Sequence, residues 1–147
     1  MANYYDSSLI LANILQEQHQ PDYSEIWDGE GIRISSVLLK AECIVSLRRA
    51  AAAQGYKADH GWVRERIEAL TVYFETITFK FVDDSIQEII RREKTMANCR
   101  TLDAIHLATA SYFQPHLDEP VQICTMDHRM RGVAVELGFG VLPKELF

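Results

Sequence analysis

The chain has 147 residues, of which 48% are hydrophobic and 24% are charged. This composition suits one globular domain spanning residues 1–147, and it excludes a disordered or collagen-like chain. The 15 basic and 21 acidic side chains give a formal net charge of −6, which disfavours broad electrostatic binding of nucleic acid but leaves room for local basic patches.

In the first half of the chain, short apolar segments alternate with helical patterns. A strand candidate, Ala2–Tyr5, leads into a helix over Leu9–Leu15, and Asp6 or a serine after it can cap that helix. The later elements are an amphipathic segment within Pro21–Gly31, a strand Ile32–Ile34, a helix from Ser35 to Gln54 and a helix Asp59–Phe74. The predicted inner stripe of the helix from Ser35 to Gln54 runs through Val37, Ala41, Ile44, Val45 and Arg48.

The second half continues this alternation. Glu75–Phe81 has large apolar residues at every second position, which is typical of a half-buried strand, and Asp83 or Asp84 can cap the helix that follows. The remaining predicted elements are helices Ser85–Lys94, Thr101–Phe113 and Asp127–Leu137 and strands Val121–Met126 and Phe139–Leu142. Strands that alternate with helices predict an α/β fold, with a central parallel sheet of about four to five strands and helices on both faces.

Targeting and cysteine patterns favour a cytoplasmic protein without a membrane partner. The longest apolar stretches, such as Leu9–Ala12, are far shorter than the about 18 residues that span a bilayer. The N-terminal MANYYDSS lacks a basic region and carries Asp6 where a signal peptide is apolar. The three cysteines form no CxxC pair, so we expect buried free thiols, with neither a zinc site nor a disulfide framework.

Four acidic residues are predicted at or near one edge of the sheet. In parallel α/β sheets, ligands bind just beyond the carboxyl ends of the strands. Asp6 and Asp127 each follow a strand, Asp103 lies near the start of its helix, and Glu42 lies about two turns into the helix after the second strand. Asp6 and Asp127 could equally be simple helix caps, and the helix dipole favours Asp103 whatever its function.

Glu42 and Asp103 give the stronger argument for a ligand site. Glu42 shares a helical stripe with Leu38 and Val45, and Asp103 lies among apolar neighbours in a helix that is predicted to be buried on nearly all sides. A carboxylate at a buried edge is costly unless a cation pairs with it, and the sequence shows no compensating basic stripe. Two such acids therefore suggest a shared cation, and carboxylate oxygens are the ligands that Mg²⁺ or Mn²⁺ prefers.

The segments around these acids resemble a known family. YYDSS, SSVLLKAECI, RTLDAIHLATA and TMDHRMRGVAVELGF are similar to the four acidic motifs of PIN-domain ribonucleases, and most similar to the VapC-type toxins of toxin–antitoxin pairs. The resemblance runs from Tyr5 to Gly138 with the motifs in the family's order. Each motif alone is weak, whereas all four in order are fairly specific. The chain has Asp-Ser-Ser where the family often has Asp-Thr-Ser, and Met130 where leucine is more usual, but it keeps every acidic position.

The resemblance implies a PIN-like fold and a Mg²⁺- or Mn²⁺-dependent endoribonuclease. The expected catalytic and metal-binding residues are Asp6, Glu42, Asp103 and Asp127. The candidate hydroxyls that orient these carboxylates are Ser7 and Thr125, for which ordinary cap and strand-end roles are at least as open. The candidate RNA contacts, chosen because they adjoin the acids, are Arg100, His128, Arg129 and Arg131. His106 lies on the same helix face as Asp103, and we interpret it as a satisfied core histidine.

The resemblance also implies partners, and two other hypotheses stay open. In the family, a small antitoxin protein inhibits the toxin by placing its tail in the groove near the acids, and two toxin chains commonly pair. One alternative is a catalytically silent PIN-fold binding module, which should lack at least one acid. The other is a metal-dependent phosphohydrolase acting on small substrates. A haloacid-dehalogenase relative would carry Asp-x-Asp after its first strand, whereas two serines follow Asp6 here.

Overall fold

The structure is a computed structural model that describes residues 1–15, 23–55 and 60–146. The strands are β1 (Ala2–Tyr5), β2 (Ile32–Ser36), β3 (Thr78–Lys80), β4 (Val121–Cys124) and β5 (Gly140–Leu142). They form one sheet in the order β3-β2-β1-β4-β5, and every neighbouring pair is parallel. The strand order reverses at β1, because β2 flanks it on one side and β4 on the other. A crevice therefore opens beyond the carboxyl end of β1.

Helices connect the strands. Within the described residues they are α1 (Ser7–Leu15), α2 (Ser24–Asp28), α3 (Leu38–Gln54), α4 (His60–Glu75), α5 (Asp84–Arg92), α6 (Thr101–Phe113) and α7 (His128–Glu136). None of these described helices has the length and apolar character needed to cross a membrane. Two starting points that we predicted, Pro21 and Asp59, lie outside the described residues.

The sheet separates two apolar clusters. Consecutive strand residues point to opposite faces, so the neighbouring residues Tyr4 and Tyr5 of β1 enter different clusters, and both are fully buried. Tyr4 packs with residues of α5, α6 and α7. Tyr5 packs with residues of α1, α3 and α4. The predicted parallel α/β sheet with helices on both faces is therefore confirmed.

The predicted start of α3 and its inner stripe are wrong. Ser35 and Ser36 continue β2, where they are in register with β3, so the helix begins only at Leu38. The buried positions of α3 are Leu39, Cys43 and Leu47, whereas Val45 is 46% exposed. Glu42 consequently flanks the buried stripe beside Cys43, and the stripe that it shares with Leu38 and Val45 is not the buried one.

Two smaller differences concern β3 and the cysteines. The predicted strand Glu75–Phe81 is shorter in the structure, since α4 continues through Glu75 and only Thr78–Lys80 pairs with β2. Phe81, expected to be half-buried, is 74% exposed. The three cysteines are free thiols as predicted, although only Cys43 and Cys124 are buried and Cys99 is half-buried.

Candidate active site

Asp6 lies directly after the central strand and is the most buried of the four acids. It is 7% exposed. Its Oδ1 accepts hydrogen bonds from the backbone N–H of Ser8 at 3.0 Å and from the Ser8 hydroxyl at 2.6 Å, while its Oδ2 accepts one from the Thr125 hydroxyl. Burial raises the pKa of Asp6, and the hydrogen bonds from Ser8 and Thr125 oppose that rise. Asp6 therefore caps α1 and is also held rigidly by two hydroxyls.

The hydroxyls of Ser8 and Thr125 also connect the segment after β1 with the segment after β4. Ser8 Oγ also accepts a hydrogen bond from the backbone N–H of Met126 at 2.8 Å, and Thr125 Oγ1 accepts one from that of Asp127 at 3.1 Å. Thr125 thus lies where the sequence placed an orienting hydroxyl. The second orienting hydroxyl belongs to Ser8 and not to Ser7, which corrects the prediction. An Asp-x-Ser pattern at a helix start could have given this result, since the residue two positions after a cap turns its N–H back towards it.

Three further acids interact electrostatically beyond the strand ends. Asp103 is half-buried in the first turn of α6. Burial raises its pKa, and the negative charges of Asp127 and Glu42 raise it further. The positive charges of His106 and Arg100 act in the opposite direction. Asp127 is exposed and caps α7, because its Oδ1 accepts a hydrogen bond from the backbone N–H of Met130 at 2.8 Å. The repulsion between these charges makes the ionised site unfavourable without a cation.

Glu42 has a partner that the sequence analysis did not identify. Its side chain is 22% exposed, and its Oε1 is hydrogen-bonded to Nε2 of His106, which is 1% exposed. The other ring nitrogen of His106, Nδ1, lies 2.7 Å from the hydroxyl of Tyr4. The interpretation of His106 as a buried histidine with satisfied nitrogens agrees with this geometry. Its carboxylate partner could not be identified from the sequence, because Glu42 lies 64 positions away in the chain.

Acidic and basic groups meet in one cleft of about 380 Å³. Its lining residues are Arg100, Asp103, Met126, Asp127, His128 and Arg129. Three of the four predicted RNA contacts therefore line this cleft, and all three are exposed. The fourth, Arg131, is half-buried, and its guanidinium donates to the backbone carbonyls of Thr125 at 3.1 Å and Lys144 at 3.3 Å. Arg131 therefore anchors the segment after β5, and it does not line the cleft.

The four acids fit a divalent cation by donor type and by charge. Carboxylate oxygens suit Mg²⁺ or Mn²⁺, and a cation would offset the burial and the repulsion that together raise the pKa of Asp103. Within the described part of the chain, no three Asp, Glu, His or Cys side chains are gathered closely enough to hold a metal ion as they stand. The fit thus rests on chemistry and on the shared edge of the sheet, not on a preformed cage.

The chain belongs to the PIN domain family, which matches residues 4–136. Members of this family are generally nucleases, and they typically use divalent metal ions. A comparison with curated proteins finds no match. The family match covers all four acidic positions, so the edge of the sheet that gathers them is the candidate active site.

Replacing Ser8 by alanine should destabilise the fold far more than replacing Ser7. The Ser8 variant takes the acceptor from the N–H of Met126 and leaves Oδ1 of Asp6 with only its hydrogen bond from the Ser8 backbone N–H, at a cost of about 1–3 kcal/mol. The Ser7 variant should stay within about 0.5 kcal/mol of the unsubstituted protein. Urea unfolding monitored by circular dichroism measures both free energies, and equal losses would show that the Ser8 hydroxyl does not join α1 to the segment after β4.

Proposed function

We propose that this protein is a Mg²⁺- or Mn²⁺-dependent endoribonuclease that acts as the toxin of a toxin–antitoxin pair. The observation that carries the proposal is the cleft in which Asp103 and Asp127 lie beside Arg100, His128 and Arg129. Acids that can hold a divalent cation and bases that can bind phosphate are what hydrolysis of a phosphodiester requires in one place.

Each part of the site has a role in this proposal. Asp6, Glu42, Asp103 and Asp127 would hold the ion. When bound, a divalent cation lowers the pKa of a coordinated water and neutralises negative charge on the phosphate. Ser8 and Thr125 keep the Asp6 carboxylate in one orientation. The guanidinium groups of Arg100 and Arg129 can each bind two phosphate oxygens and so fix the scissile strand against the acids.

The local charge supports RNA binding despite the overall excess of acids. A chain with a net charge of −6 repels a polyanion unless cations are concentrated at the point of contact. Three basic or potentially basic side chains line a single cleft here. This arrangement favours contact with a short stretch of one strand over binding along an extended surface.

The proposed partners rest on the resemblance of the four acidic motifs to VapC-type toxins. A cognate antitoxin would inhibit the enzyme by placing a tail in the groove beside the acids, and two copies of this chain would pair. An adjacent reading frame that encodes a short DNA-binding helix followed by a disordered tail would support the toxin role. Growth arrest on induced expression, relieved by co-expression of that neighbour, would test it directly.

RNA cleavage by the purified protein tests the enzymatic proposal. We expect single-stranded or structured RNA to be cut internally with Mg²⁺ or Mn²⁺, and cutting to stop when EDTA is added. Cleavage that persists in EDTA would exclude the metal-dependent mechanism. Binding of RNA without cleavage under any divalent ion would favour a silent binding module, and hydrolysis of p-nitrophenyl phosphate with no effect on RNA would favour a small-substrate phosphohydrolase.

Arg129→Ala should weaken RNA binding without changing metal affinity. The exposed Arg129 lines the cleft, so its loss should remove one phosphate contact and reduce the slope of log K against log salt by about 0.7 for single-stranded RNA. Arg64→Ala is a matched control, because Arg64 is exposed on α4 and changes the net charge equally. Fluorescence anisotropy over a salt series measures both variants, and equal slopes would contradict the assignment of Arg129.

A further inference from the structure

A buried chain of hydrogen bonds leads from the backbone of β2 to the carboxylate of Glu42. The backbone N–H of Ser36 donates to the Tyr4 hydroxyl at 3.1 Å, and that hydroxyl lies 2.7 Å from Nδ1 of His106. Nε2 of His106 is hydrogen-bonded to Oε1 of Glu42. This series of hydrogen bonds therefore runs from the central sheet through α6 to α3, and it connects the backbone of β2 with one of the four acids.

The direction of the hydrogen bond to Glu42 follows from the chemistry of its two partners. The Tyr4 oxygen accepts from the backbone N–H of Ser36, and the Tyr4 hydroxyl also forms a hydrogen bond with Nδ1 of His106. A carboxylate carries no proton to donate, so Nε2 of His106 donates its N–H to the ionised Glu42.

Burial and the contact with Tyr4 restrict the orientation of the imidazole. His106 is 1% exposed, and its ring packs edge-on against Tyr4, with the ring centroids 5.7 Å apart. Glu42, by contrast, has a long side chain at the border of the buried stripe of α3, where it is 22% exposed. A fixed donor thus holds one oxygen of a side chain that could otherwise adopt several rotamers, and the second oxygen stays available.

We propose that His106 is a positioning residue, which holds Glu42 through Nε2–H so that the other carboxylate oxygen can bind a divalent cation. This inference deepens the proposed function and rests on it. Carboxylates that bind metals are commonly fixed by such hydrogen bonds, and loss of the partner typically weakens metal binding by about 10–100-fold. Tyr4 acts one step further away, because it fixes the ring that fixes Glu42.

Two amide variants of His106 separate positioning from simple packing. Glutamine can place its N–H₂ near the position of Nε2 and so reach Glu42, whereas the shorter asparagine can place its amide only near Nδ1 and reach Tyr4. Isothermal titration of the metal-free full chain with Mn²⁺ should show His106→Asn about tenfold weaker than the unsubstituted protein, and His106→Gln within about threefold of it. If His106 only filled space in the core, the Mn²⁺ affinities of the His106→Asn and His106→Gln variants would not differ in this order.

Glu42→Gln completes the test as a double-mutant cycle. If His106 acts through Glu42, adding His106→Asn to Glu42→Gln should weaken Mn²⁺ binding no further, whereas independent effects would multiply. Tyr4→Phe preserves shape and should weaken Mn²⁺ binding by about threefold in the unsubstituted chain and not in Glu42→Gln. Melting curves identify any variant that fails to fold. If His106→Asn is such a variant, Tyr4→Phe decides, and unchanged Mn²⁺ affinity in Tyr4→Phe overturns the proposal.

The outcomes distinguish this inference from the proposed function. Equal Mn²⁺ affinities in the unsubstituted protein and both His106 variants overturn the positioning role, even if RNA is cleaved. A protein that binds Mn²⁺ with the expected order of affinities but cuts no RNA supports the positioning role and refutes the ribonuclease. A protein that binds no Mn²⁺ at all refutes both.

Discussion

Asp103→Asn should abolish the divalent-dependent cleavage of RNA, with a loss of at least about a thousandfold in rate. An amide binds a hard cation far more weakly than a carboxylate does, so the substitution removes one of the four proposed charged ligands. Ion-assisted stabilisation of the transition state amounts to several kcal/mol, and about 4 kcal/mol corresponds to a thousandfold in rate. Asp103 interacts electrostatically with the negative charges of both Asp127 and Glu42.

The measurement compares initial rates of cleavage of one labelled RNA at fixed Mn²⁺. Asp84→Asn is a matched control, because Asp84 also lies in the first turn of a helix, is exposed, and does not line the cleft. It should cleave at the rate of the unsubstituted protein. Substantial activity in Asp103→Asn, or an equal loss in both variants, would show that Asp103 is not a ligand of the catalytic ion.

Metal-free Asp103→Asn should be more stable than the unsubstituted protein at neutral pH. The first turn of α6 favours a negative charge by about 0.3–1 kcal/mol, but burial and the charges of Asp127 and Glu42 act in the opposite sense and raise the pKa of Asp103. Since the folded pKa of this acid is raised, the folded state holds a proton that the unfolded chain has already lost. The unfavourable contribution of ionised Asp103 to the free energy of folding therefore appears as pH rises through about 4, the ordinary pKa of an aspartate. It is complete above the raised pKa of the folded state.

Melting curves at several pH values, each with and without Mg²⁺, measure this effect. The stability gained by Asp103→Asn should vanish below about pH 4 and be greatest at neutral pH. Added Mg²⁺ should stabilise the unsubstituted protein by about 2.7 kcal/mol at a hundredfold excess over Kd, and the variant by much less. Asp84→Asn should instead be slightly destabilised by the lost interaction with its helix dipole. An unsubstituted protein indifferent to Mg²⁺, together with a less stable Asp103→Asn, would mean that the acids serve only as caps.

The fold was largely predictable from the sequence because its elements follow from local patterns. The alternation of strands and helices predicted the parallel sheet, and the bounds of α6, Thr101–Phe113, are those expected from its run of alanine and leucine before a proline. The inner face of α3 was not predictable in this way. Ser35 and Ser36 are equally good at a helix start and at a strand end, and pairing with β3 selects the strand. That choice delays the helix and changes which of its sides is buried.

The position of the acids near one edge of the sheet was predictable from the sequence, whereas their hydrogen bonds were not. Asp6 and Asp127 follow strands, and that position alone brings them to one edge of the sheet. The partners of the acids depend on contacts between distant segments, such as His106 with Glu42 and Thr125 with Asp6. No local spacing encodes such contacts. The role of Ser8, in contrast, could have been inferred from the Asp-x-Ser spacing at the start of α1, where the Ser8 backbone N–H donates to Asp6.

The position of β1 in the sheet has a consequence for assembly of the candidate site during translation. One edge of β1 pairs with β2, whose residues are translated soon after it, whereas the other pairs with β4, whose residues are translated much later. One of the two hydroxyls that orient Asp6 comes from Thr125, 119 positions later. A nascent chain that has not yet reached Thr125 cannot assemble the site. The order of the strands therefore keeps the candidate site incomplete until β4 and Thr125 have been translated.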